Sequence, residues 1–367
     1  MRDPRFWWRE AGIVSSMLWP IAALYSAITA ARMARKGWQA DIPVICVGNF
    51  TLGGTGKTPT AIALAGWLKT EGETPFMLTR GYGGKLSGPV RVDPSLHRAE
   101  DVGDEPLLLA RHAPVIVSRD RAAGVKLAIA SGASVIVMDD GLQNPSVVKD
   151  LSIAVCDGRR GFGNACVFPA GPLRAKLARQ FPFVQAVLTI GDGAGMAAIK
   201  EAARSHHVPV VSGRLVPDAR AVEGLTGQKI YAFAGIGDPD KFFATLTQAG
   251  LTVTKRESFP DHHPYAEDEA ARILARCERE GLMPVTTEKD WVRLSGASGA
   301  CGRLAAVARI LPVSLKLSDE EALRGLLMRT LAARRSAQMK ISATEATAAA
   351  SLPAATHTLP DDRRSSI

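Results

Sequence analysis

The densest chemistry in this chain of 367 residues lies in Gly53-Gly54-Thr55-Gly56-Lys57-Thr58. That run follows an apolar stretch, Pro43–Val47, and opens a stretch of helical period, Lys57–Lys69. Strand, glycine-rich turn and helix is the order a nucleotide's phosphates require. The glycines let backbone N–H groups turn inward, and the helix amino end adds a favourable dipole. Lys57 can reach the β and γ phosphates, and the Thr58 hydroxyl can meet Mg²⁺. The usual Gly-x4-Gly-Lys-Ser/Thr spacing would place a glycine at Thr51, whereas the nearest earlier one is Gly48, so the match is partial. Further on, Met138-Asp139-Asp140-Gly141 closes another apolar run. Two carboxylates at the carboxyl end of a central strand can hold Mg²⁺ between phosphates, although Asp-Asp-Gly also suits an ordinary turn. ATP and Mg²⁺ are the expected cofactors.

Two other segments could do acid–base work. Val102-Gly103-Asp104-Glu105-Pro106 offers a carboxylate, and Phe259-Pro260-Asp261-His262-His263-Pro264-Tyr265 offers imidazoles. An Asp hydrogen-bonded to a His would tune the ring near neutral pH to take a hydroxyl proton. Asp104 with His262 qualifies if their segments face each other; otherwise Asp104 reads as a helix cap and His262 as a surface turn. Asp157-Gly158-Arg159-Arg160-Gly161-Phe162-Gly163-Asn164 and Phe168-Pro169-Ala170-Gly171-Pro172-Leu173-Arg174 alternate glycine, proline and arginine. Such loops grip phosphate through paired guanidinium donors or are merely solvated.

The elements that must position these residues read as α/β. Apolar runs at Pro43–Val47, Pro75–Thr79, Val115–Ser118, Ser134–Met138, Ile153–Cys156, Ala186–Ile190 and Val208–Val211 alternate with helical stretches at Lys57–Lys69, Arg121–Ala130 and Ala197–Ser205. That alternation predicts a mostly parallel sheet flanked by helices, of the phosphate-loop NTPase kind. A second α/β pattern begins near Gly227, with strands at Ile230–Ala234, Thr252–Glu257, Pro284–Thr287 and Val313–Leu317. Its helices are expected over Asp240–Ala249, Ala266–Glu280 and Asp319–Arg334. Four parts are expected: an amino-terminal membrane-associated helix (1–38), the phosphate-loop core (39–220), a smaller α/β unit (221–335) and a disordered tail (336–367) rich in Ala, Ser, Thr and Pro.

Between Ala11 and Ala31 no residue is charged, enough helix to cross a hydrocarbon core about 30 Å thick. Arg2, Arg5 and Arg9 precede it, and Arg32, Arg35 and Lys36 follow. Trp7, Trp8 and Trp38 stand where interfacial aromatics belong. Pro20 interrupts the segment, so a helix lying in the interface competes with a full span. The 46% hydrophobic content excludes global disorder, and a formal charge of +9 favours an anionic partner. Nucleic acid is not expected, because no basic surface interleaved with aromatics stands out. Five scattered cysteines, without any ligand spacing, suit a reducing compartment.

In this order the motifs resemble the tetraacyldisaccharide 4′-kinase family of lipid A biosynthesis. The resemblance rests on Val47-Gly48-Asn49 leading into Gly53–Pro59, then Thr79-Arg80-Gly81-Tyr82-Gly83-Gly84, Val102–Pro106, Asp139-Asp140-Gly141-Leu142-Gln143, Gly161–Asn164 and Pro169–Arg174. It continues through Ala234-Gly235-Ile236-Gly237, Phe259–His263 and Thr287-Glu288-Lys289-Asp290. It implies ATP-dependent phosphorylation of the 4′-hydroxyl of a tetraacylated glucosamine disaccharide 1-phosphate, by a monomer at the cytoplasmic face of a bacterial inner membrane. By position it implies phosphate and metal binding by Lys57 and Thr58, metal binding by Asp139 and Asp140, a catalytic pair in Asp104 and His262, and substrate contacts from Arg80, Asn164 and Arg174. Two positions depart from the pattern. Asn144 stands where a histidine is usual, and Ala175 stands where an acid usually follows Arg174. The rival reading is a phosphate-loop ATPase or GTPase acting as a switch or in metal delivery. Leu52 occupies the place of the lysine that partitioning-type ATPases carry there, and no Asn-Lys-x-Asp motif is evident.

Overall fold

The computed structural model of this chain describes residues 4–350. Among the described residues thirteen strands build two sheets. In chain order they are β1 (Val44–Gly48), β2 (Pro75–Thr79), β3 (Val90–Arg91), β4 (Val115–Val117), β5 (Val135–Asp139), β6 (Leu151–Asp157) and β7 (Ala186–Ile190). After them come β8 (Val210–Pro217), β9 (Lys229–Ala234), β10 (Thr252–Ser258), β11 (Met283–Thr286), β12 (Arg309–Ile310) and β13 (Val313–Leu317). The larger sheet runs β13-β8-β7-β6-β1-β5-β2-β4-β3 and the smaller β10-β9-β11-β12.

All pairings from β8 to β4 are parallel, and antiparallel β13 and β3 close the two edges. Strands β1, β2, β5, β6 and β7 are buried along their whole length. Helices therefore cover both faces, which is why these strands read as unbroken apolar runs rather than alternating ones. The helix Lys57–Thr70 packs Ala61, Leu64, Ala65 and Leu68 into one core with Ile45, Val47, Met77 and Val137. β1 lies between β5 and β6. The chain leaving β1 thus emerges where the strand order changes direction, the position at which open α/β sheets take ligands.

Three features differ from the expectations. β13 was expected in the second unit, but it pairs with β8, Leu315 opposite Leu215. Period alone identifies a strand and says nothing of its partner. The helix after it, Glu320–Ala350, buries Leu323, Leu327 and Leu331 in the core of the large sheet. Arg324 reaches Glu71 at 2.8 Å and Arg335 pairs with Glu73, so the chain returns to the first unit after building the second. That helix extends through the expected disordered segment from Ser336 to Ala350; residues 351–367 lie outside the described residues. At the other end, the helix Ile13–Met33 continues through Pro20 without a break, since one missing N–H removes a single bond from a long ladder.

The return of the carboxyl-terminal helix should matter energetically. Leu327 is fully buried, and Leu327→Ala should cost about 2–5 kcal/mol in equilibrium denaturation. A loss below about 0.5 kcal/mol, the scale of an ordinary surface change, would show that the helix does not dock.

Candidate active site

The phosphate loop is built from β1 outward. Gly48 ends the strand, and a Cβ there would lie 2.5 Å from that of Leu142. The missing glycine at Thr51 has a physical explanation. Thr51 is bridged to Leu173, Leu52 N–H donates to Pro172 O at 2.8 Å, and Arg174 N–H donates to Phe50 O at 2.9 Å. The extra residues between Gly48 and Gly53 thus form an extended strip pinned to the Pro172–Arg174 segment, where a side chain is no burden. The turn itself needs Gly53 and Gly56, with φ of 98° and 94°, a region that favours glycine. A Cβ at Gly54 would face open space. No side chain caps the helix Lys57–Thr70, and its first turn holds no acid. Its amino end is left free for an anion.

β5 delivers the carboxylates. Asp139 lies opposite Val47 in the β1–β5 register, and Asp140 N–H donates to Val47 O at 2.9 Å. The Asp140 carboxylate lies 3.8 Å from Lys57 Nζ and 3.1 Å from Arg174 Nη2. Burial alone would raise its pKa, but Lys57 and then Arg174 bring it down to about 2. Asp139 is pushed up to about 7, by burial first and then by the negative charge of Glu105. A cation beside the pair would reverse that. Oδ1 of both acids and Oγ1 of Thr55 are buried without hydrogen-bond partners, and Thr58 at the start of the helix is buried too. Buried oxygens without hydrogen-bond donors suit a divalent ion. Among the described residues no cluster of three His, Cys, Asp or Glu could enclose one, so its remaining ligands would be phosphate oxygens and water.

The facing wall comes from the smaller sheet. Asp104 begins the short helix Asp104–Ala110, behind Gly103 at φ 92°. The Arg80–Gly84 loop lies against its approach, since a Cβ at Gly84 would come within 2.5–2.7 Å of Val102 and Gly103 backbone. Asp104 is buried, and its Oδ2 lies 3.0 Å from His262 Nδ1. Against an ionised carboxylate Nδ1 is the protonated nitrogen, which leaves Nε2 as the basic one. Burial opposes ionisation of Asp104, but the His262 hydrogen bond and the Arg293 charge hold it well below the usual range. His262 is raised chiefly by its bond to Asp104. Its left-handed backbone, φ 57°, separates the adjacent histidines. His263 stacks on Phe259 with 4.8 Å between centroids and meets Glu269 at 2.7 Å. Lys289 Nζ bonds Glu105 at 2.6 Å, adding a second tie between the walls.

The structure therefore brings Asp104 and His262 together and gathers Lys57, Asp140 and Arg174. Asn164 is turned toward the protein's own chain. Its amide donates to Ser15 Oγ at 3.0 Å and Ala170 O at 2.9 Å while Oδ1 accepts from Cys166 N–H. The Ser15 bond fastens the amino-terminal segment. Arg80 stands exposed just beyond β2. Arg159 and Arg160 both reach Asp238 of the second unit, and Arg160 lies 4.8 Å over the Trp8 ring. Sequence reading missed Arg121, buried close enough to Asp139 and Asp140 to feel their charge, and Lys289 and Arg293 as a set. The i,i+4 spacing of the last two on a helix would have put them on one face.

The helix Ile13–Met33 is polar inward and apolar outward. Ser15, Ala22, Ser26, Thr29 and Met33 face the protein, whereas Ile13, Val14, Met17, Trp19, Ile21, Leu24 and Ile28 are exposed. At about 1.5–3 kcal/mol for each such side chain, covering that face is worth on the order of 10 kcal/mol.

A family model for tetraacyldisaccharide-1-P 4′-kinase matches residues 14–332. Tetraacyldisaccharide 4′-kinases from Methylobacterium sp. (strain 4-46) and Bradyrhizobium sp. (strain BTAi1 / ATCC BAA-1182) are 53% and 51% identical to the chain. The alignments cover 91% and 92% of it, and 98% of each relative. Among solved structures, LpxK from Aquifex aeolicus in complex with ATP is similar with a TM-score of 0.68 and 27% identity. The match spans 87% of this chain and all of that one.

The charge balance at the loop can be tested directly. Arg174→Met removes one of the cations holding Asp140 down, so the Asp140 carboxyl should titrate at higher pH in a carbon-detected NMR titration. An unchanged titration would exclude Arg174 as its partner.

Proposed function

The chain belongs to the tetraacyldisaccharide-1-P 4′-kinase family, and from that membership we propose how its own residues divide the reaction. The enzyme transfers the γ-phosphate of ATP to the 4′-hydroxyl of a tetraacylated glucosamine disaccharide 1-phosphate in lipid A biosynthesis. Glycines 53, 54 and 56 with Thr55 wrap the phosphates, and Lys57 neutralises charge as it moves toward the transferred group. Thr58, Asp139 and Asp140 would hold Mg²⁺, which would supply positive charge to offset that of the phosphates. The Oδ1 atoms of the two acids, buried without a hydrogen-bond partner, support that assignment.

The observation that supports the acceptor side best is the 3.0 Å contact between Asp104 and His262. An acceptor hydroxyl needs a group to orient it and take its proton, and this pair presents a basic imidazole nitrogen beside a buried anion. The pair accepts one proton as a unit, so its apparent pKa belongs to both residues. Arg80 and Arg174 supply positive charge at the carboxyl ends of the strands, and Asn164 acts on substrate through the segment it fastens. We propose a kinase core of residues 39–220 joined by β13 and the helix after it, with the smaller unit between them from residue 221.

The apolar outer face of Ile13–Met33 supports attachment to a membrane surface, and the cytoplasmic face of the inner membrane is where ATP and an acylated precursor meet. A helix that buries its polar side on its own protein and turns seven large apolar residues outward is suited to lipid rather than water.

Lys57→Ala should lower transfer to the disaccharide 1-phosphate by about a hundredfold or more. Asp104→Asn and His262→Ala should each slow it by about 10²–10⁴ while ATP still binds; wild-type turnover in either would remove the pair from the reaction. Because Asp104 raises His262, kcat/KM should fall with decreasing pH on a limb above the ordinary imidazole value of about 6.5. A limb at or below that value would count against the pair. Leu24→Lys with Ile28→Lys should release the protein from phospholipid vesicles, and undiminished binding would overturn the membrane assignment.

A further inference from the structure

Arg293 lies behind the reacting pair, on the helix Glu288–Leu294 of the second unit, and its side chain is only 5% exposed. Its guanidinium is shared between two acids. Nε donates to Asp104 Oδ2 at 2.7 Å, and Nη2 reaches the same oxygen. Nη1 donates to Asp290 Oδ1 at 2.8 Å and to Gly235 O at 2.7 Å. Asp290 is fully buried and accepts from Gly235 N–H and Tyr265 OH, each at 2.9 Å, and from Thr287 Oγ1 at 2.6 Å. Donors from β9's end, from the loop after β10 and from its own helix thus fix Asp290, and Asp290 fixes Arg293. The Asp104 oxygen that receives the Arg293 fork is also the one that receives His262 Nδ1; its other oxygen accepts Glu105 N–H at 2.9 Å.

We propose that Arg293, steered by Asp290, is a positioning residue of the transfer reaction: it fixes the Asp104 carboxylate for His262 and sets how readily the pair takes a proton. The inference rests on the reading of Asp104 and His262 as the reacting pair. The Arg293 donors on Oδ2 and the Glu105 N–H on Oδ1 together hold the carboxylate in one orientation. Without the fork, only the His262 ring and the Glu105 N–H would hold the carboxylate in place. Burial of so many charges is a poor source of net stability, which points to placement rather than cohesion as the role of the cluster.

The charges facing the pair come from every element around it. Lys289 and Arg293 are on one helix, Asp290 lies behind Arg293, and Glu105 follows Asp104. Asp261 Oδ2 stands 3.9 Å from His262 Nε2, and the Tyr82 ring lies 5.6 Å from the imidazole. In that company the acids favour a proton on the pair and the two cations oppose it. Removing Arg293 therefore raises the proton affinity of the pair.

Arg293→Gln should lower kcat about tenfold or more and move the acid limb of kcat/KM upward by about one pH unit, the size of a lost neighbouring charge. The KM for ATP should change little. Arg293→Lys keeps the charge and loses the fork, so its limb should stay near that of the wild type while kcat remains reduced. Should Arg293→Gln fail to fold, by circular dichroism and thermal melting, Arg293→Lys decides alone: reduced kcat on an unshifted limb supports the proposal, and wild-type kcat overturns it. An Arg293→Gln enzyme that is folded but slowed on an unshifted limb, or one that turns over normally, also overturns it. If His262→Ala itself retains wild-type turnover, the reading of the pair has failed; if His262→Ala is crippled and Arg293→Gln is not, only this inference has failed.

Discussion

The architecture depends on keeping the Asp104 carboxylate ionised while taking it out of water. A buried anion is costly unless each lone pair meets a donor. The donors that meet it belong largely to the other sheet: His262 from the loop after β10, Arg293 from the helix Glu288–Leu294, with Lys289 on neighbouring Glu105. Neither unit satisfies this charge alone. The electrostatic requirement of one side chain thus sets the approach of the two units, and that approach defines the cleft over the phosphate loop.

A complementary problem is solved on the loop side. Asp140 is held anionic by Lys57 and Arg174, while Asp139, buried and facing the charge of Glu105, is drawn toward the neutral form. Two adjacent acids in one sheet therefore have opposite tendencies before any cation arrives. Glu105 and Lys57 each influence both halves of the cleft, as the charges perturbing Glu105 and Asp139 show. Charges on the two sides therefore reach each other through space rather than through a shared backbone element.

The amino-terminal helix obeys a different constraint. It turns small and polar residues toward the protein and large apolar ones outward, the reverse of a helix on a soluble surface. Trp7 anchors its entry through a 3.0 Å bond to Pro169 O, and Arg32 ties its last turn to Gln143 O at 3.2 Å, one residue after Leu142 of the Asp-Asp-Gly turn. The apolar face is thereby tied to both the loop that ends in Arg174 and the turn that follows the acid pair.

Much of this was legible in the linear order of residues. Parallel-sheet strands announce themselves as apolar runs because both of their faces are covered, and Gly53 and Gly56 announce a phosphate turn because few other residues adopt its backbone. The α/β pattern, the phosphate loop, the Asp pair and the uncharged amino-terminal stretch are all local, so the sequence by itself determined them. What remained depended on contacts far apart in the chain. Nothing local says that β13 joins β8 rather than the second sheet, that Thr51 can replace a glycine because Leu173 straightens the strip it lies in, or that Asn164 spends its amide on Ser15. Nor can sequence decide which of two adjacent histidines meets Asp104. That choice falls to the left-handed turn at His262, which sends His263 to Glu269 and its neighbour across the cleft, and to Arg293, which waits there on the same oxygen. Pairings across 158 and 189 residues are decided by packing, because only the assembled core fixes which buried charges must share a partner.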